Sequence, residues 1–586
     1  MKETSIILSD RISKKAALKL LFVLILFLLP GLLISGNNHP EDYFISPLKI
    51  PLEVTGTFAE LRNNHFHSGI DFRTQRREDL PVLAVADGYV SRVNVSPVGF
   101  GKAIYISHPN GYTSVYAHMN DFFPELSAYV KNAQYAQKSF NIELYPDRNQ
   151  FRVKQGDIIG LSGNTGSSMG PHLHFEIRET ATQMPINPLY FGFDVSDTDY
   201  PVMESLAIYP LGMNRHFSSP MYFPLRRQQK GVYTLSKDTI KVNVTQIGAG
   251  ISAYDNLSGT VNRNGPYEIK LFQENQLLYH FKASTFAFSE TRYLNAHIDY
   301  HARIKKNKWY NKLYLQPNNR FSMYELTRNE GVIDLSQETK QNISIEVTDF
   351  KGNVSKTSFV LQYSEPSEAE IFELGENLTL FPHNRRNTFS ANEINLKFPA
   401  YSFYDTVYFQ YEWTPPVKKD IHSAIHHVHR NDIPVHNFYD IKIKPYDIPA
   451  HLRSKSFICY ENSSGNPQYL SSDWEGEFLK ARSRDFGKFY VKIDTIPPSI
   501  RPLNIREGKN MTTYDRMTFT IEDDLSGISS YTGKLNGKWI LMEYDPKNKL
   551  LFHIFEEDLS SGEHQLFLTV EDNVKNKFQY IINFKR

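Results

Sequence analysis

Short runs of apolar residues, often alternating with polar ones, recur along most of this chain, and turn residues separate them. Residues 102–107 and 113–117 are two such runs, with the turn HPNGY at 108–112 between them. Alternate side chains of a strand point to the same face, so runs of this kind predict β-strands. The pattern predicts a compact antiparallel β domain over residues 43–192.

One segment of this domain has a different period. Between residues 122 and 139 the apolar residues recur at helical spacing, as Leu126, Val130, Ala133 and Ala136. We therefore expect a helical insertion within residues 122–150, before the strand pattern resumes. The insertion is either a surface excursion or a wall of a cleft.

The later part of the chain contains a weak internal repeat. AYDNLSG at 253–259 resembles IEDDLSG at 521–527, and VTDFKGN at 347–353 resembles VEDNVKN at 570–576. Each copy ends in a strand followed by an Asp/Asn/Gly turn, a pattern typical of immunoglobulin-like (Ig-like) sandwiches. The longer distance between the motifs in the first copy predicts an insertion around residues 286–324.

The first residues carry a targeting signal. Basic residues precede an apolar run at 20–29, which predicts a secretory signal peptide. The apolar segment 16–35 is just long enough to span a bilayer, so an uncleaved anchor is the alternative. We expect no lipoprotein anchor, because that anchor needs a cysteine just after the apolar run and none stands there. In both cases we expect export to the periplasm or cell envelope.

These patterns give a predicted order of domains. The order is a signal peptide or membrane anchor at 1–36, the first β domain at 43–192, a linker at 193–237, an Ig-like β domain with an insertion at 238–365, a β domain at 366–494, and an Ig-like β domain at 495–586. Several domains are expected because 586 residues exceed what one hydrophobic core holds.

Composition narrows the function classes. The 65 basic and 64 acidic residues nearly cancel, which disfavours binding to nucleic acid or to an anionic membrane surface. The abundance of Tyr and Phe, 35 and 40 residues, fits a strand-rich chain. The single cysteine, Cys459, excludes an internal disulfide and a cysteine-based zinc finger, and we expect it to be a small buried apolar residue.

The candidate chemistry lies in the first domain. His172 and His174 occupy alternate positions of a predicted strand and therefore share one face. His67 and Asp71 lie upstream, and His118 ends another predicted strand. Two imidazoles and one carboxylate are a typical ligand set for catalytic zinc, with a fourth position left for water. From the residues alone, His67, Asp71 and either histidine of the pair complete this set.

Four short motifs from this domain resemble a known set. HSGID at 67–71, YAHM at 116–119, GNTG at 163–166 and GPHLHFE at 170–176 are similar, in order, to the motifs of lysostaphin/LytM-type zinc endopeptidases, which cut the peptides of bacterial peptidoglycan. The resemblance covers roughly a quarter of the chain. It implies that His67, Asp71 and His174 bind Zn²⁺ and that His118 and His172 are the catalytic histidines.

The residue pattern and the resemblance together predict a fold, and the resemblance implies a division of roles. The expected fold is mainly β, a small antiparallel β peptidase domain with a helical insertion followed by several β-sandwich, Ig-like domains. No HExxH helix is present, so His118 and His172, with an ordinary pKa of ~6.5, would transfer the protons and stabilise the oxyanion. Which histidine is the base stays open. Tyr116 either faces the same cleft or packs in the core.

The leading hypothesis is an exported zinc endopeptidase that hydrolyses peptide cross-links of peptidoglycan. Its C-terminal β domains would position it or bind protein partners, and membrane contact would occur only through an uncleaved anchor. The alternative is a non-catalytic zinc-fold module that regulates or scaffolds other cell-wall or cell-surface proteins. No motif residue is missing, which favours the enzyme and counts against a resemblance to the catalytically inactive members of the family that act as scaffolds.

Acidic turns in the later domains raise one further possibility. Asp255, and Asp523 with Asp524, lie in turns that could bind Ca²⁺. Capping of the turn by an Asp side chain explains the same residues more simply, and is the interpretation we favour from sequence.

Overall fold

The structure, a computed structural model, describes residues 39–211, 219–257, 261–365, 378–462, 465–556 and 559–586. Strands make up most of its regular elements, so the prediction of a mainly β fold is confirmed. The predicted signal peptide or anchor at 1–36 lies outside the described residues. Within the described ranges, no helix combines the length and apolar character needed to cross a membrane.

The first domain contains two sheets and a hairpin. Its strands are β1 (Val54–Gly56), β2 (Leu61–Arg62), β3 (His65–Phe66), β4 (Ile70–Arg73), β5 (Pro81–Leu83), β6 (Gly88–Val95), β7 (Lys102–Ser107), β8 (Tyr112–Met119), β9 (Asp121–Phe122), β10 (Ile142–Leu144), β11 (Arg152–Val153), β12 (Ile158–Leu161), β13 (His172–Glu179) and β14 (Pro185–Ile186). The main sheet has the order β1-β4-β13-β8-β7-β6-β10, and a smaller one has the order β5-β12-β9. The main sheet therefore places β4, β13 and β8 side by side. A 3₁₀ turn, Pro188–Phe191, closes the domain.

The predicted insertion is a helix, α1 (Pro124–Gln137). Pro124 occupies its first turn, where the missing N–H is no loss, and Lys138 ends it in a left-handed conformation. Leu126 and Val130 are buried as the period requires. Ala136 is exposed, and the buried position of the last turn is Gln134, whose amide donates to the Phe140 carbonyl at 2.8 Å.

The segment expected as a linker, residues 193–237, is not a linker in the structure. It supplies strands to the second domain: β15 (Val202–Pro210), β16 (Met221–Pro224), β17 (Arg226–Gln229) and β18 (Val232–Thr234). β15 is mostly buried and forms a long antiparallel pair with β20 (Gln246–Tyr254). Its apolar side chains join a hydrophobic core that runs continuously from the first domain into the second. These two domains are thus joined by packing and not by a free connection.

The rest of the second domain forms two facing sheets. Its further strands are β19 (Thr239–Val242), β21 (Glu268–Gln273), β22 (Gln276–Lys282), β23 (Asn311–Lys312), β24 (Tyr324–Thr327), β25 (Ile333–Asp334), β26 (Lys340–Thr348) and β27 (Val354–Tyr363). Where the sequence predicts an insertion, the chain forms the short helices α2 (Leu294–His297) and α3 (Tyr300–Lys306), with 3₁₀ turns at Phe288–Tyr293 and Arg328–Gly331.

The third domain has its own core of aromatic and aliphatic side chains. Its strands are β28 (Thr379–Phe381), β29 (Asn387–Ala391), β30 (Ile394–Phe398), β31 (Val407–Phe409), β32 (Tyr411–Thr414), β33 (Ile425–Val428), β34 (Tyr439–Ile443), β35 (Ser456–Glu461), β36 (Pro467–Leu470), β37 (Asp473–Glu475), β38 (Phe478–Ser483) and β39 (Gly487–Ile493), with a 3₁₀ turn at Ala450–Lys455. Cys459 on β35 is buried, as expected from sequence.

The last domain repeats the arrangement of the second. Its strands are β40 (Ser499–Pro502), β41 (Lys509–Asn510), β42 (Arg516–Glu522), β43 (Ile528–Leu535), β44 (Lys538–Ile540), β45 (Glu543–Asp545), β46 (Leu550–Ile554), β47 (Glu563–Asp572) and β48 (Lys577–Lys585). The order β41-β48-β47-β43-β44 matches β18-β27-β26-β21-β22, with a parallel first pair in both. The internal repeat seen in the sequence therefore corresponds to one topology used twice.

Candidate metal centre and active site

The central strands of the first domain bring the candidate residues together. On β4 and β13, Asp71 lies directly opposite His174, and Arg73 lies opposite His172. His67 precedes β4 and enters the site through a close approach at Gly69, where an added Cβ would lie 2.3 Å from the Phe175 carbonyl oxygen. Only glycine fits that approach, so the turn needs the residue that the HSGID motif has there.

Three side chains of this group converge on one point. His67 Nε2 and His174 Nδ1 each lie 3.0 Å from Asp71 Oδ1, and the two nitrogens lie 2.9 Å apart. All three residues are buried. Ligands of a tetrahedral zinc, at about 2.0–2.1 Å from the ion, stand about 3.3 Å from one another. The observed separations are close to that value, so the three residues fit a metal ion.

Hydrogen bonds from the surrounding residues fix which nitrogen of each histidine is free. His67 Nδ1 donates to the Thr57 carbonyl at 2.8 Å, which leaves the lone pair on Nε2. His174 Nε2 donates to Glu176 at 2.9 Å, which leaves the lone pair on Nδ1. These assignments follow from the acceptors. The two free nitrogens are the same two that converge on Asp71, which is the arrangement a metal requires.

The carboxylates of the site are held in the ionised form. Burial would raise the pKa of Asp71, but the three histidines around it hold that pKa well below its usual value. Its second oxygen accepts from Arg62 Nη2 at 3.0 Å. Burial opposes ionisation of Glu176 as well, and the Arg178 guanidinium with the bond from His174 lowers its pKa to about 2.

Glu176 supports the site from behind, a role that the sequence analysis did not assign. It is fully buried and also accepts from Ser68 Oγ at 2.5 Å and from Arg178 Nε at 2.5 Å. The spacing of the sequence could have indicated this role, because Glu176 and His174 are alternate residues of one strand and therefore share a face. Thr57 and Arg62, by contrast, had no sequence motif to identify them.

Replacing Glu176 by glutamine is expected to weaken metal binding by about 10- to 100-fold, the usual effect of losing a charged partner behind a metal-bound histidine. Glutamine can still accept from His174, but it loses the charge that orients the imidazole. Competition with a chromophoric zinc chelator measures the affinity. The control is Glu179→Gln at the exposed end of the same strand. Equal affinities for both variants would contradict the role of Glu176.

His118 and His172 lie beside the converging group. Their ring centroids are 4.8 Å apart, and His172 Nε2 lies 3.5 Å from Asp71 Oδ1. Each donates from Nδ1 to a backbone carbonyl at 2.8 Å, of Thr165 for His118 and of Gly170 for His172. Both therefore offer Nε2 for chemistry.

The backbone and the charge state of His118 are both unusual. Its φ is 59°, a left-handed conformation that non-glycine residues seldom adopt and that often marks functional sites. Burial, together with the charges of His172 and His174, lowers the pKa of His118 to about 3. His118 is therefore neutral at neutral pH.

Two other motif residues have structural roles. Tyr116 is fully buried, and its hydroxyl accepts from the Val85 N–H at 2.9 Å, so it packs in the core and does not face the site. In GNTG, Thr165 positions His118 through its carbonyl and donates from Oγ1 to the Met119 carbonyl at 2.9 Å. The motif thus holds the strand end that carries His118.

The last domain contacts the rim of this site. Lys547 donates to the carbonyl oxygens of Asn164 and Ser168, which lie on the loop leading to His172. On the other side, Glu556 pairs with Lys131 of α1 and accepts from the Tyr135 hydroxyl at 2.8 Å. A cavity of about 810 Å³ lies between α1 and this domain. The helix is thus a wall of that cavity, whose lining includes none of the four candidate site histidines.

Sequence comparisons agree with this geometry. The model of Peptidase family M23 matches residues 65–142 and 139–188, which contain all five candidate residues. A Zu5-like domain model matches residues 378–494, most of the predicted 366–494 domain.

Several curated proteins are similar to the first domain. They include an uncharacterized metalloprotease of Haemophilus influenzae, 34% identical over 161 residues that cover 26% of this chain and 28% of that protein. A DD-carboxypeptidase/endopeptidase Mpg of Neisseria gonorrhoeae is 32% identical over 123 residues, which cover 21% of this chain and 22% of that protein. A glycyl-glycine endopeptidase ALE-1 of Staphylococcus capitis is 30% identical over 141 residues, which cover 24% of this chain and 29% of that protein. The chain spans less than a third of the length of each of these relatives.

One solved structure, the catalytic domain of the M23 protein EnpA from Enterococcus faecalis, is 25% identical and covers 27% of this chain and 99% of its own, with a TM-score of 0.19. The family match and the curated relatives define the class of the first domain, which is that of a metallopeptidase. Residues 65–188 match peptidase family M23, and the predicted resemblance to lysostaphin/LytM-type endopeptidases is confirmed.

Proposed function

We propose that this chain is a zinc-dependent endopeptidase that hydrolyses peptide cross-links of bacterial peptidoglycan. The observation that carries the proposal is the convergence of two imidazole lone pairs and one carboxylate oxygen within 3.0 Å. Relatives named peptidoglycan DD-endopeptidase and glycyl-glycine endopeptidase support a peptide substrate of the cell wall. Since those names refer to different bonds, the proposal is limited to the class of cross-linking peptides.

Zinc is the metal that the donor set supports. Two neutral imidazoles and one carboxylate, held close to tetrahedral spacing, are a common catalytic zinc set, whereas calcium and magnesium prefer oxygen donors. His67, Asp71 and His174 would hold the ion and leave one position open. A zinc ion there would polarise the scissile carbonyl and lower the barrier to deprotonation of the attacking water.

The two remaining histidines divide the proton transfers. His118 is kept neutral by burial, so its Nε2 can accept a hydrogen bond from the attacking water. His172 is more exposed, with about 18% of its side chain accessible, and its Nε2 lies next to the Asp71 carboxylate. It is therefore placed to carry a proton to the leaving amine and to donate to the oxyanion.

The proposed place of action is the periplasm or cell envelope. This follows from the basic and apolar residues at 1–36 and from a substrate that lies outside the cytoplasm. The later β domains would hold the enzyme against the wall or against protein partners.

Incubating the purified chain with peptidoglycan sacculi tests the function. We expect release of new amino groups without new reducing sugar ends, complete loss of release with a zinc chelator, and recovery when zinc is added back. Release of reducing ends would indicate cleavage of the glycan. Amine release that the chelator does not affect would contradict a metal-dependent peptidase.

A further inference from the structure

Three buried carboxylates meet in the second domain, away from the histidine site. Asp197 precedes β15, Asp255 follows β20 and Asp349 follows β26. One oxygen of each lies within 4.8 Å of the others. The residues are 9%, 4% and 1% exposed. The cluster therefore consists of three acidic groups that the fold has removed from water.

Three buried polar atoms at this cluster have no hydrogen-bond partner among the described residues. No described residue bonds to Oδ1 of Asp255, although the residue is more than nine-tenths buried. Asn264 forms an isolated β-bridge with Asp255, so the two side chains lie on the same face. Asn264 is 1% exposed, and neither its Oδ1 nor its Nδ2 has a partner among the described residues. Buried polar atoms are seldom left in this state without an ion or water.

Burial and mutual repulsion oppose ionisation of the carboxylates in this cluster. Burial and the neighbouring carboxylates of Asp197 and Asp349 raise the pKa of Asp255 to about 8. Burial also raises the pKa of Asp349, although Asn353 donates to both of its oxygens. Like charges that repel in a buried site are stabilised by a bound cation.

We propose that Asp197, Asp255 and Asp349 bind a calcium ion, with Asn264 Oδ1 as a fourth oxygen ligand. All four donors are oxygens, which hard cations prefer. Oxygens bound to one Ca²⁺, at 2.3–2.6 Å, stand up to about 5.2 Å apart, so three carboxylate oxygens that all lie within 4.8 Å of one another can share one ion.

The repeated domain provides an internal comparison. Asp494, Asp523 and Asp572 form the equivalent cluster. There, Asp494 accepts from the N–H groups of Ile496 and Ser526, and both oxygens of Asp572 accept from Asn576. No carboxylate oxygen of that cluster is among the buried atoms without a partner. The two clusters differ at the central residue, because Asp523 Oδ1 accepts from the N–H groups of Leu525 and Gly527 whereas Asp255 Oδ1 has no partner among the described residues. The proposal is therefore confined to the first cluster.

The position of the site gives the ion a structural role. Asn262, two residues from Asn264, donates to the Thr55 carbonyl of β1 at 2.9 Å and contacts Arg73 of β4 at 3.4 Å. A calcium ion that holds Asp255 and Asn264 would therefore fix a connection between the second domain and the edge of the peptidase sheet. This inference does not depend on the proposed peptidase activity.

Calorimetric titration of the zinc-loaded, calcium-free chain with CaCl₂ tests the site, together with the shift of the unfolding temperature. We expect one ion bound with a dissociation constant in the range of about 10⁻⁶ to 10⁻³ M. Asp255→Asn should weaken binding at least about tenfold and abolish the calcium-dependent shift. The control is Asp238→Asn, an exposed residue of the same domain. Asn264→Ala is the second test variant, for use if Asp255→Asn does not fold.

Three results would overturn the proposal. The first is no binding and no stabilisation at 10 mM calcium, a concentration about tenfold above the weakest extracellular calcium sites. The second is unchanged affinity in both Asp255→Asn and Asn264→Ala. The third is loss of binding in Asp523→Asn with full binding in Asp255→Asn, which would place the ion in the last domain.

Discussion

Replacing His172 by alanine is expected to lower the rate of peptidoglycan cleavage by about 10²- to 10⁴-fold while zinc stays bound. The imidazole makes no metal bond in the proposed ligand set, and its Nδ1 is held by the Gly170 carbonyl. Its removal therefore takes away proton transfer and leaves the three ligands in place. Amine release from sacculi measures the cleavage rate, and the zinc content of the same preparation measures metal binding.

The matched control is His65→Ala. His65 lies near the site in sequence, but it is exposed, and its ring Nδ1 bonds to the Asn63 carbonyl in the adjoining turn. Its removal should leave both the cleavage rate and the zinc content unchanged. Loss of zinc from the His172→Ala variant would instead place His172 among the ligands, and full activity with bound zinc would remove it from the reaction.

Replacing His67 by alanine should release the metal itself. It removes one of three protein ligands, so zinc affinity should fall by more than the 10- to 100-fold that an outer partner such as Glu176 contributes. Activity should fall with it at any zinc concentration below saturation. Zinc per chain after dialysis, with His65→Ala alongside, measures the effect. Retention of a full equivalent of zinc would contradict the proposed ligand set.

Unfolding temperature provides a second readout for the same variant. Binding to the folded state alone stabilises it, so wild-type protein should unfold at a higher temperature with zinc than without. The His67→Ala variant should lose that difference. A large decrease in the stability of the metal-free variant would show instead that His67 supports the fold through its bond to Thr57.

Much of the site could be predicted from sequence because strands have a fixed period. His172 and His174 had to share a face, and the structure places Asp71 opposite His174 on the neighbouring strand. The pairing of β4 with β13 across about a hundred residues could not be read from periodicity. The motif resemblance supplied that link. The roles of His118 and His172 stay predictions until the variants are measured.

Other features depended on tertiary contacts that no local pattern shows. β15 lies in a segment with prolines and polar residues, and only its partner β20 and the shared core make it a buried strand. The docking of the last domain on α1 depends on Lys131 and Glu556, which are far apart in the chain. Charged surface residues of this kind have no signature before the fold is known.

The turns that contain Asp255 and Asp523 also differ in a way that no local sequence pattern shows. From sequence, Asp255 and Asp523 were equivalent, and capping of a turn was the simpler explanation for both. The structure separates them, because Asp523 accepts from the N–H groups of its own turn whereas one oxygen of Asp255 is buried without a partner in the described residues. Whether a carboxylate is satisfied depends on its neighbours in space, such as Asp197 and Asn264.

The central claim is that one metal ion, held by His67, Asp71 and His174, gives this domain its peptidase activity. Titrating metal-free protein with zinc while measuring amine release from sacculi tests it most directly. We predict that activity rises in proportion to added zinc and reaches its plateau at one equivalent per chain. A fully zinc-loaded chain that releases no amines from sacculi would contradict the claim.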